Sequence, residues 1–346
     1  MKIAGIAAKF PEKNLSIEET IDLIKHHSRN SFQGDLPTVL RKIKALLKLS
    51  GARNRKWLTN EKPIDLLAEA VEDVLIQANV NKQDVDLLMY VGIGKGFIEP
   101  AGAYLAAKSL GLDHAECFDI TDACMSWTRA LYTANHYLKD NCYQNILVVN
   151  AEFNNIEGSH LFPDNYQLTS MEQLNWIFPT YTVGNACTAT LLTNEVHHDW
   201  EWHFKSKPQL ADLCTVATDN YRHYTKHSPR LGLTKPNLFC SFGRELHEEA
   251  TIQLPIILKQ LSTDKQNIAQ IFPHASSLSD WQKFANTCGV LDKMYFVYPE
   301  YGNLVSASVP AGIALAIDEQ KTKRGDTLAG WVGSAGMSFS AFSFTY

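Results

Sequence analysis

The stretch F-D-I-T-D-A-C-M-S-W-T-R-A-L-Y-T-A-N-H-Y-L, residues 118–138, decides how the chain is read. A short apolar strand runs into a tight turn and then a helix rich in small residues, and the apolar strand N-I-L-V-V-N (145–150) follows. Residues 295–317, Y-F-V-Y-P-E-Y-G-N-L-V-S-A-S-V-P-A-G-I-A-L-A-I, are built alike and precede T-L-A-G-W-V (327–332). Cys124 and Asn303 sit at the two turns, 179 residues apart. A second anchor repeats the pattern. Residues 64–78 have helical periodicity, then N-K-Q-D-V leads into the strand V-D-L-L-M-Y-V and the turn G-I-G. Residues 246–261 are again helical, and D-K-Q-N-I leads into I-A-Q-I-F-P-H, with the two loops offset by 183. Two anchors with nearly one offset indicate an internal duplication. Alternating strands and helices in two similar halves, 1–195 and 196–346, predict an α/β fold.

Composition narrows the function. The 346 residues carry 32 Lys and Arg against 37 Asp and Glu, a net charge of −5. A general nucleic-acid binder needs a basic surplus to neutralise phosphates, so no nucleic-acid partner is expected. No apolar run approaches the ~20 residues of a membrane span. The start M-K-I-A-G-I-A-A-K-F-P reads as a first strand rather than an export signal. The seven cysteines are odd in number and none forms C-x-x-C, which argues against a zinc site or a disulfide framework and fits a reducing, cytoplasmic compartment. The adjacent pairs His26–His27 and His197–His198 do not converge on a metal, because neighbouring side chains diverge.

Within this scaffold a few residues carry chemistry. Cys124 stands at the N-terminus of the small-residue helix, where the helix dipole favours a thiolate. The other cysteines read as core thiols. His274 follows an apolar strand, the end at which ligands of α/β sheets gather. Asn303 holds the place in the second half that Cys124 holds in the first, so packing about a pseudo-twofold axis brings the two turns together.

These residues carry a family resemblance. The chain resembles the thiolase superfamily, and within it the β-ketoacyl-ACP synthase III-like condensing enzymes. S-G-A-R-N-R-K-W (50–57) is similar to the family's T-G-I-R-x-R segment, D-A-C-M-S-W-T-R-A-L to its nucleophile segment, P-H-A-S-S (273–277) to its histidine turn, and Y-G-N-L-V-S-A-S-V-P-A to its asparagine turn. The resemblance implies a five-layered αβαβα fold, a homodimer, and a catalytic Cys124, His274 and Asn303. It implies an oxyanion hole from the backbone N–H groups of Cys124 and Gly336, the latter in G-S-A-G-M-S-F (333–339). The implied substrate is an acyl thioester of coenzyme A or acyl carrier protein, with no metal and no other cofactor. Arg53 matches a CoA-contacting segment, and with Arg55 and Lys56 it belongs to a stretch, 41–56, that holds seven basic side chains and no acid.

Departures from the family pattern point to a specialised relative, in lipid or polyketide-like metabolism. The histidine turn has Ala275 and Ser277 where the family has Gln and Asn, the G-D-G-A-G-A turn is V-G-N-A-C-T-A (183–189), and Ser334 and Ala335 replace glycines. F-I-E-P-A-G-A (97–103) is similar to a stretch of head-to-head acyl-CoA condensing enzymes, in which a Glu reaches the partner's active site as base; that residue is Glu99 here. Three reactions follow from acylation of Cys124. They are Claisen condensation with a malonyl- or β-ketoacyl-thioester, non-decarboxylative condensation with Glu99 as base, and acyl transfer to an O or N nucleophile.

Overall fold

The alternating apolar segments settle into two mixed sheets in a computed structural model that describes residues 1–194 and 200–346. The expected boundary at 195/196 and the His197–His198 pair lie outside the described residues. The first half contains β1 (Lys2–Lys9), β2 (Asn14–Ser16), α1 (Ile17–Ser28), α2 (Leu36–Ser50), β3 (Asn54–Lys56), α3 (Pro63–Ala78), β4 (Leu87–Val91) and α4 (Gly102–Leu110). It continues with β5 (Glu116–Ile120), α5 (Ser126–Lys139), β6 (Asn145–Glu152), α6 (Leu174–Ile177) and β7 (Ala186–Thr193). The second half contains β8 (Glu201–Ser206), β9 (Cys214–Val216), β10 (Phe239–Ser241), α7 (Gly243–Leu258), β11 (Ile268–Pro273), α8 (Leu278–Cys288), α9 (Tyr298–Tyr301), α10 (Ser308–Asp318), β12 (Thr327–Ser334) and β13 (Ser338–Thr345). No helix among the described residues is long and apolar enough to cross a membrane.

Strand order carries the duplication. The first sheet runs β1-β7-β6-β4-β5 and the second β8-β13-β12-β11, with the same antiparallel and parallel pairings in the same places. Among the described residues the second sheet has four strands and no counterpart of β5. Residues 295–298, which the sequence pattern casts as a strand, form no ladder; the preceding Met294 makes a single parallel bridge with Ile271, and Tyr298 opens α9. Pro299 and the following Gly302 turn the chain too early for a ladder.

Local signals explain the helices. Ser16 caps α1 reciprocally with Glu19, whose carboxylate takes the Ser16 N–H at 2.8 Å. Asp35 caps α2, and Gly51, at φ 82°, ends it. Leu40, Ile43 and Leu47 of α2 are buried, as their spacing predicts. The small-residue helices α5 and α10 sit between the two sheets. There Trp127, Ala130, Leu131 and Ala134 meet Val309, Ile313 and Ala314, and Phe342 and Phe344 close the same core. Helices α3 and α4 cover the outer face of the first sheet, and α7 and α8 that of the second. The result is the five-layered αβαβα architecture.

Close packing of the second sheet depends on Gly330. It pairs with Phe342 across β12 and β13, and a Cβ at Gly330 would lie 2.1 Å from that ring. The ring is itself stacked on Trp202, 4.9 Å away. Gly330→Ala is expected to lower stability by about 1–3 kcal/mol in urea unfolding, because the core cannot absorb the methyl; an unchanged midpoint would show that the aromatic stack is slack.

Candidate active site

Strand β5 ends at Ile120, and the chain turns through Asp122 and Ala123 into one 3₁₀ turn, Ala123–Met125, that continues as α5. Ala123 has φ 45°, a left-handed conformation unusual for a residue with a side chain. Ser126 secures the turn. Its hydroxyl accepts the Asp122 N–H at 2.8 Å and donates to the Ala123 carbonyl at 2.7 Å. The second half repeats this with Val305 at φ 50°, a 3₁₀ turn over Val305–Ala307, and Ser308 donating to the Val305 carbonyl at 2.8 Å. Ala123 therefore corresponds to Val305, and Cys124 to Ser306.

That correspondence corrects the pairing of Cys124 with Asn303. Asn303 lies three residues before Ser306, and its Oδ1 accepts the Val305 N–H at 2.8 Å, which holds the strained turn. Its backbone is fixed between the Thr182 carbonyl and the Gly184 N–H. A Cβ on Gly184 would lie 1.9 Å from the Tyr301 carbonyl, so this seam admits only glycine.

Strands β6 and β12 end at Glu152 and Ser334, which correspond under the same offset. Two crossed pairs result. Ser334 of the second half lies beside Cys124 of the first, where it favours the thiolate, and its hydroxyl donates to the Asp122 carbonyl at 3.3 Å. Ser306 of the second half donates to Glu152 of the first at 2.5 Å. Glu152 is fully buried and also accepts from Gly94 N at 3.0 Å, Ile93 N at 3.3 Å and Asn154 Nδ2 at 3.0 Å. Burial pushes its carboxyl above the usual range, against these hydrogen bonds. Sequence reasoning missed Glu152, Ser306 and Ser334. The available signal was the G-I-G turn, since a Cβ on Gly92 would lie 2.2 Å from the Glu152 carboxylate.

Cys124, His274 and Asn303 border one cavity of about 1490 Å³. Its walls are largely apolar and include Leu46, Leu174, Trp176, Phe242, Leu254 and Phe284. Usual small-molecule sites are roughly 300–1,000 Å³, so there is room for more than one chain-like group. Gly336, at φ 114°, forms the corner between β12 and β13, and its neighbours Ala335 and Met337 border the cavity.

The electrostatics differ from the dipole argument. Burial pushes the Cys124 thiol up, as do the nearby Cys214 and Glu152; its own backbone N–H and Ser334 act the other way. The thiol is protonated at rest, because the favourable end of α5 is worth only about 0.3–1 kcal/mol. His274 is buried, its backbone N–H donates to the Trp331 carbonyl at 2.9 Å, and its Nδ1 lies 3.3 Å from Ser308 Oγ. Burial, reinforced by His247 when that ring is protonated, lowers its pKa to about 4 against a hydrogen bond with the Val305 backbone, so the ring is neutral at pH 7.

The other expected site residues lie elsewhere. Arg53 is exposed and paired with Glu300, its Nε 2.8 Å from Oε1. Arg55 is fully buried, because β3 alternates and turns it inward, where Nη1 donates to Thr20 Oγ1. A buried guanidinium of this kind cannot meet a solvent phosphate, which removes Arg55 from the CoA-contacting set. Lys56 lies over the Tyr301 ring, 5.7 Å from its centre. None of the three borders the cavity. The cations that do are Lys42, Arg230, Arg244 and Lys283, interspersed with Glu172, Glu245, Glu248 and Asp280. Glu99 is exposed on the loop between β4 and α4, outside the cavity of its own chain, beside Ile98 (86% exposed) and Phe97 (49%).

Comparisons with known proteins bear on the fold and the family likeness. Residues 118–156, which hold Cys124 and Glu152, match the family described as 3-oxoacyl-[acyl-carrier-protein] synthase III. Residues 258–346, which hold His274, Asn303, Ser306 and Ser334, match its C-terminal part. The β-ketoacyl-[acyl-carrier-protein] synthase III of Fusobacterium nucleatum is 24% identical over 271 residues, covering 77% of this chain and 78% of that one. That of Porphyra umbilicalis is 26% identical over 294 residues, covering 80% and 82%. Among solved structures, 3-oxoacyl-[acyl-carrier-protein] synthase III of Aquifex aeolicus shares the fold with a TM-score of 0.78 at 19% identity, over 100% of this chain and 99% of that one. A Cys-to-Ser variant of Xanthomonas campestris OleA, with lauric acid and lauroyl-CoA bound, does so with a TM-score of 0.82 at 18% identity, over 99% and 98%. The chain has the thiolase-like α/β fold, and in both halves it is similar to the condensing acyltransferases of the 3-oxoacyl-[acyl-carrier-protein] synthase III family.

Proposed function

We propose that Cys124 takes an acyl group from a CoA or acyl-carrier-protein thioester and then passes it to the carbon of a malonyl- or β-ketoacyl-thioester in a Claisen condensation. The observation that carries this reading is the meeting of Cys124, His274 and Asn303 in one large apolar cavity, where the two halves join. Acylation forms the Cys124 Sγ–carbon bond and releases the carrier thiol. The tetrahedral oxyanion is met by the N–H groups of Cys124 and Gly336. In the second step the donor thioester loses carbon dioxide and becomes an enolate. Its oxygen needs uncharged or cationic donors, a role suited to a neutral His274 beside Asn303. Lys42, Arg244 and Lys283, which border the cavity, are placed to receive the carrier's phosphates, in preference to Arg53 and Lys56. The volume and apolar walls favour a lipid or polyketide-like product.

A second reading has one observation in its favour. Glu99 sits on an exposed loop with Phe97 and Ile98, an apolar surface suited to a second copy of the chain. In a homodimer that loop would bring Glu99 to the partner's cavity, where it would remove an α-proton in a condensation without decarboxylation.

Intact-mass measurement after incubation with a panel of acyl-CoA thioesters is expected to show an acyl adduct that is absent in Cys124→Ala; the absence of any adduct in the unmodified protein would overturn both readings. A His274 pKa of about 4 predicts that condensation from pre-acylated enzyme keeps one rate from pH 8 down to about 5 and changes only below that, as the imidazole charges. A change centred near 6.5 in that profile would show an ordinary, solvated histidine. Glu99→Gln is expected to acylate normally. Loss of carbon–carbon bond formation in that variant selects the second reading, and full turnover selects the first.

A further inference from the structure

One face of α7 forms a wall of the cavity. Arg244 stands at its exposed end and Leu254 at its buried end, with His247, Ala250 and Thr251 between them. Helix α8 packs against α7 and presents Asp280. His247 Nδ1 lies 3.5 Å from Asp280 Oδ2, is sealed from solvent and has no hydrogen-bond partner of its own. The remainder of the side chain is partly open, and His247 and Asp280 both border the cavity that holds Cys124 and His274. Lys283 holds the other oxygen of Asp280 at 3.0 Å.

This arrangement has chemical consequences. A carboxylate 3.5 Å from Nδ1 electrostatically favours the tautomer protonated on that nitrogen, which leaves Nε2 as the ring's acceptor. The same carboxylate stabilises the ring once it is protonated at both nitrogens. The charged and titratable groups around His247 are Asp280 and Lys283 on α8 and His274 after β11. On the far side of α7, Lys207 is occupied by Glu249 at 2.5 Å. Burial lowers the pKa of His247 against Asp280, with Lys283 reinforcing, so the resting ring is neutral. His274 has a hydroxyl at Nδ1 in place of a carboxylate, and its low basicity suits it to donate hydrogen bonds rather than to carry a proton.

We propose that His247, oriented by Asp280, is a second catalytic imidazole of this cavity, which carries the proton from Cys124 to the departing sulfur of the acyl carrier. The proposal rests on the acyl-thioester reading above. In the step, Cys124 Sγ attacks the thioester carbonyl and its thiol proton goes to His247 Nε2. The carbon–sulfur bond to the carrier then breaks, and Nε2 returns the proton to the carrier sulfur, which leaves as a thiol. The acyl group ends on Cys124 and His247 ends neutral.

The test compares single-turnover acylation, followed by intact mass, with an acyl-CoA and with an aryl thioester of the same acyl chain. An aryl thiolate leaves readily without a proton, whereas an alkyl thiolate does not. His247→Gln and His247→Phe are expected to lose about 100-fold with the acyl-CoA. The aryl thioester bypasses the return of the proton but not its removal from Cys124, so with it both variants are expected to lose less, about tenfold. Asp280→Asn is expected to show the same selectivity. The aryl reaction also reports that each variant is folded. Equal losses with both thioesters, or no loss with acyl-CoA, would overturn the role of His247. Failure of the unmodified protein to acylate with either thioester would instead overturn the acyl-thioester reading beneath it.

Discussion

Glu152 is the constraint on which the site depends. A carboxylate with no solvent access is tolerable only when its lone pairs are satisfied. Here the satisfying groups come from both halves: the backbone after β4, Asn154, and Ser306 across the pseudo-twofold axis. The glycines at 92 and 94 exist to let that carboxylate in. Ser306 then fixes the turn that contains Val305, which in turn takes the Asn303 amide oxygen and the backbone contact of His274. One buried acid thus sets the position of the Asn and His side of the site, from the strand that runs beside the Cys helix.

The pseudo-symmetry gives this a further meaning. The same fold position carries a thiol facing a serine hydroxyl in one copy and a serine hydroxyl facing a carboxylate in the other. One copy carries a group able to bond covalently to a substrate, and the other carries a clamp. Under the proposed reading, chemistry sits on the side where the partner is weakly polar and the cavity open. Rigidity sits on the side where the pair is buried.

Much of this was legible in the residues. The two loops offset by 183 announced the duplication, and the helices at 64–78 and 246–261 fall on α3 and α7. What escaped has physical causes. The left-handed residues at the two turns are Ala123 and Val305, neither of them glycine, so nothing in the letters marked them, and the more familiar turn residue Asn303 drew the alignment three positions early. Glu152 looked like an ordinary strand-end acid because a sequence does not show which charges will be enclosed. Arg55 was readable in principle, since a strand of period 2 that leaves Asn54 and Lys56 partly exposed must turn Arg55 inward. The thiolate argument failed on magnitude, as the dipole of one helix end is smaller than the cost of burying a charge.

The central claim is that an acyl group held on Cys124 becomes joined to a second substrate through carbon. The direct measurement starts from enzyme acylated with a carbon-13-labelled thioester, freed of excess reagent, and chased with unlabelled malonyl thioester. A product whose mass contains the labelled acyl group joined to the two remaining malonyl carbons, released with carbon dioxide, is the expected result. Recovery of the label only as free acid, or as an ester or amide with no new carbon–carbon bond, would contradict it.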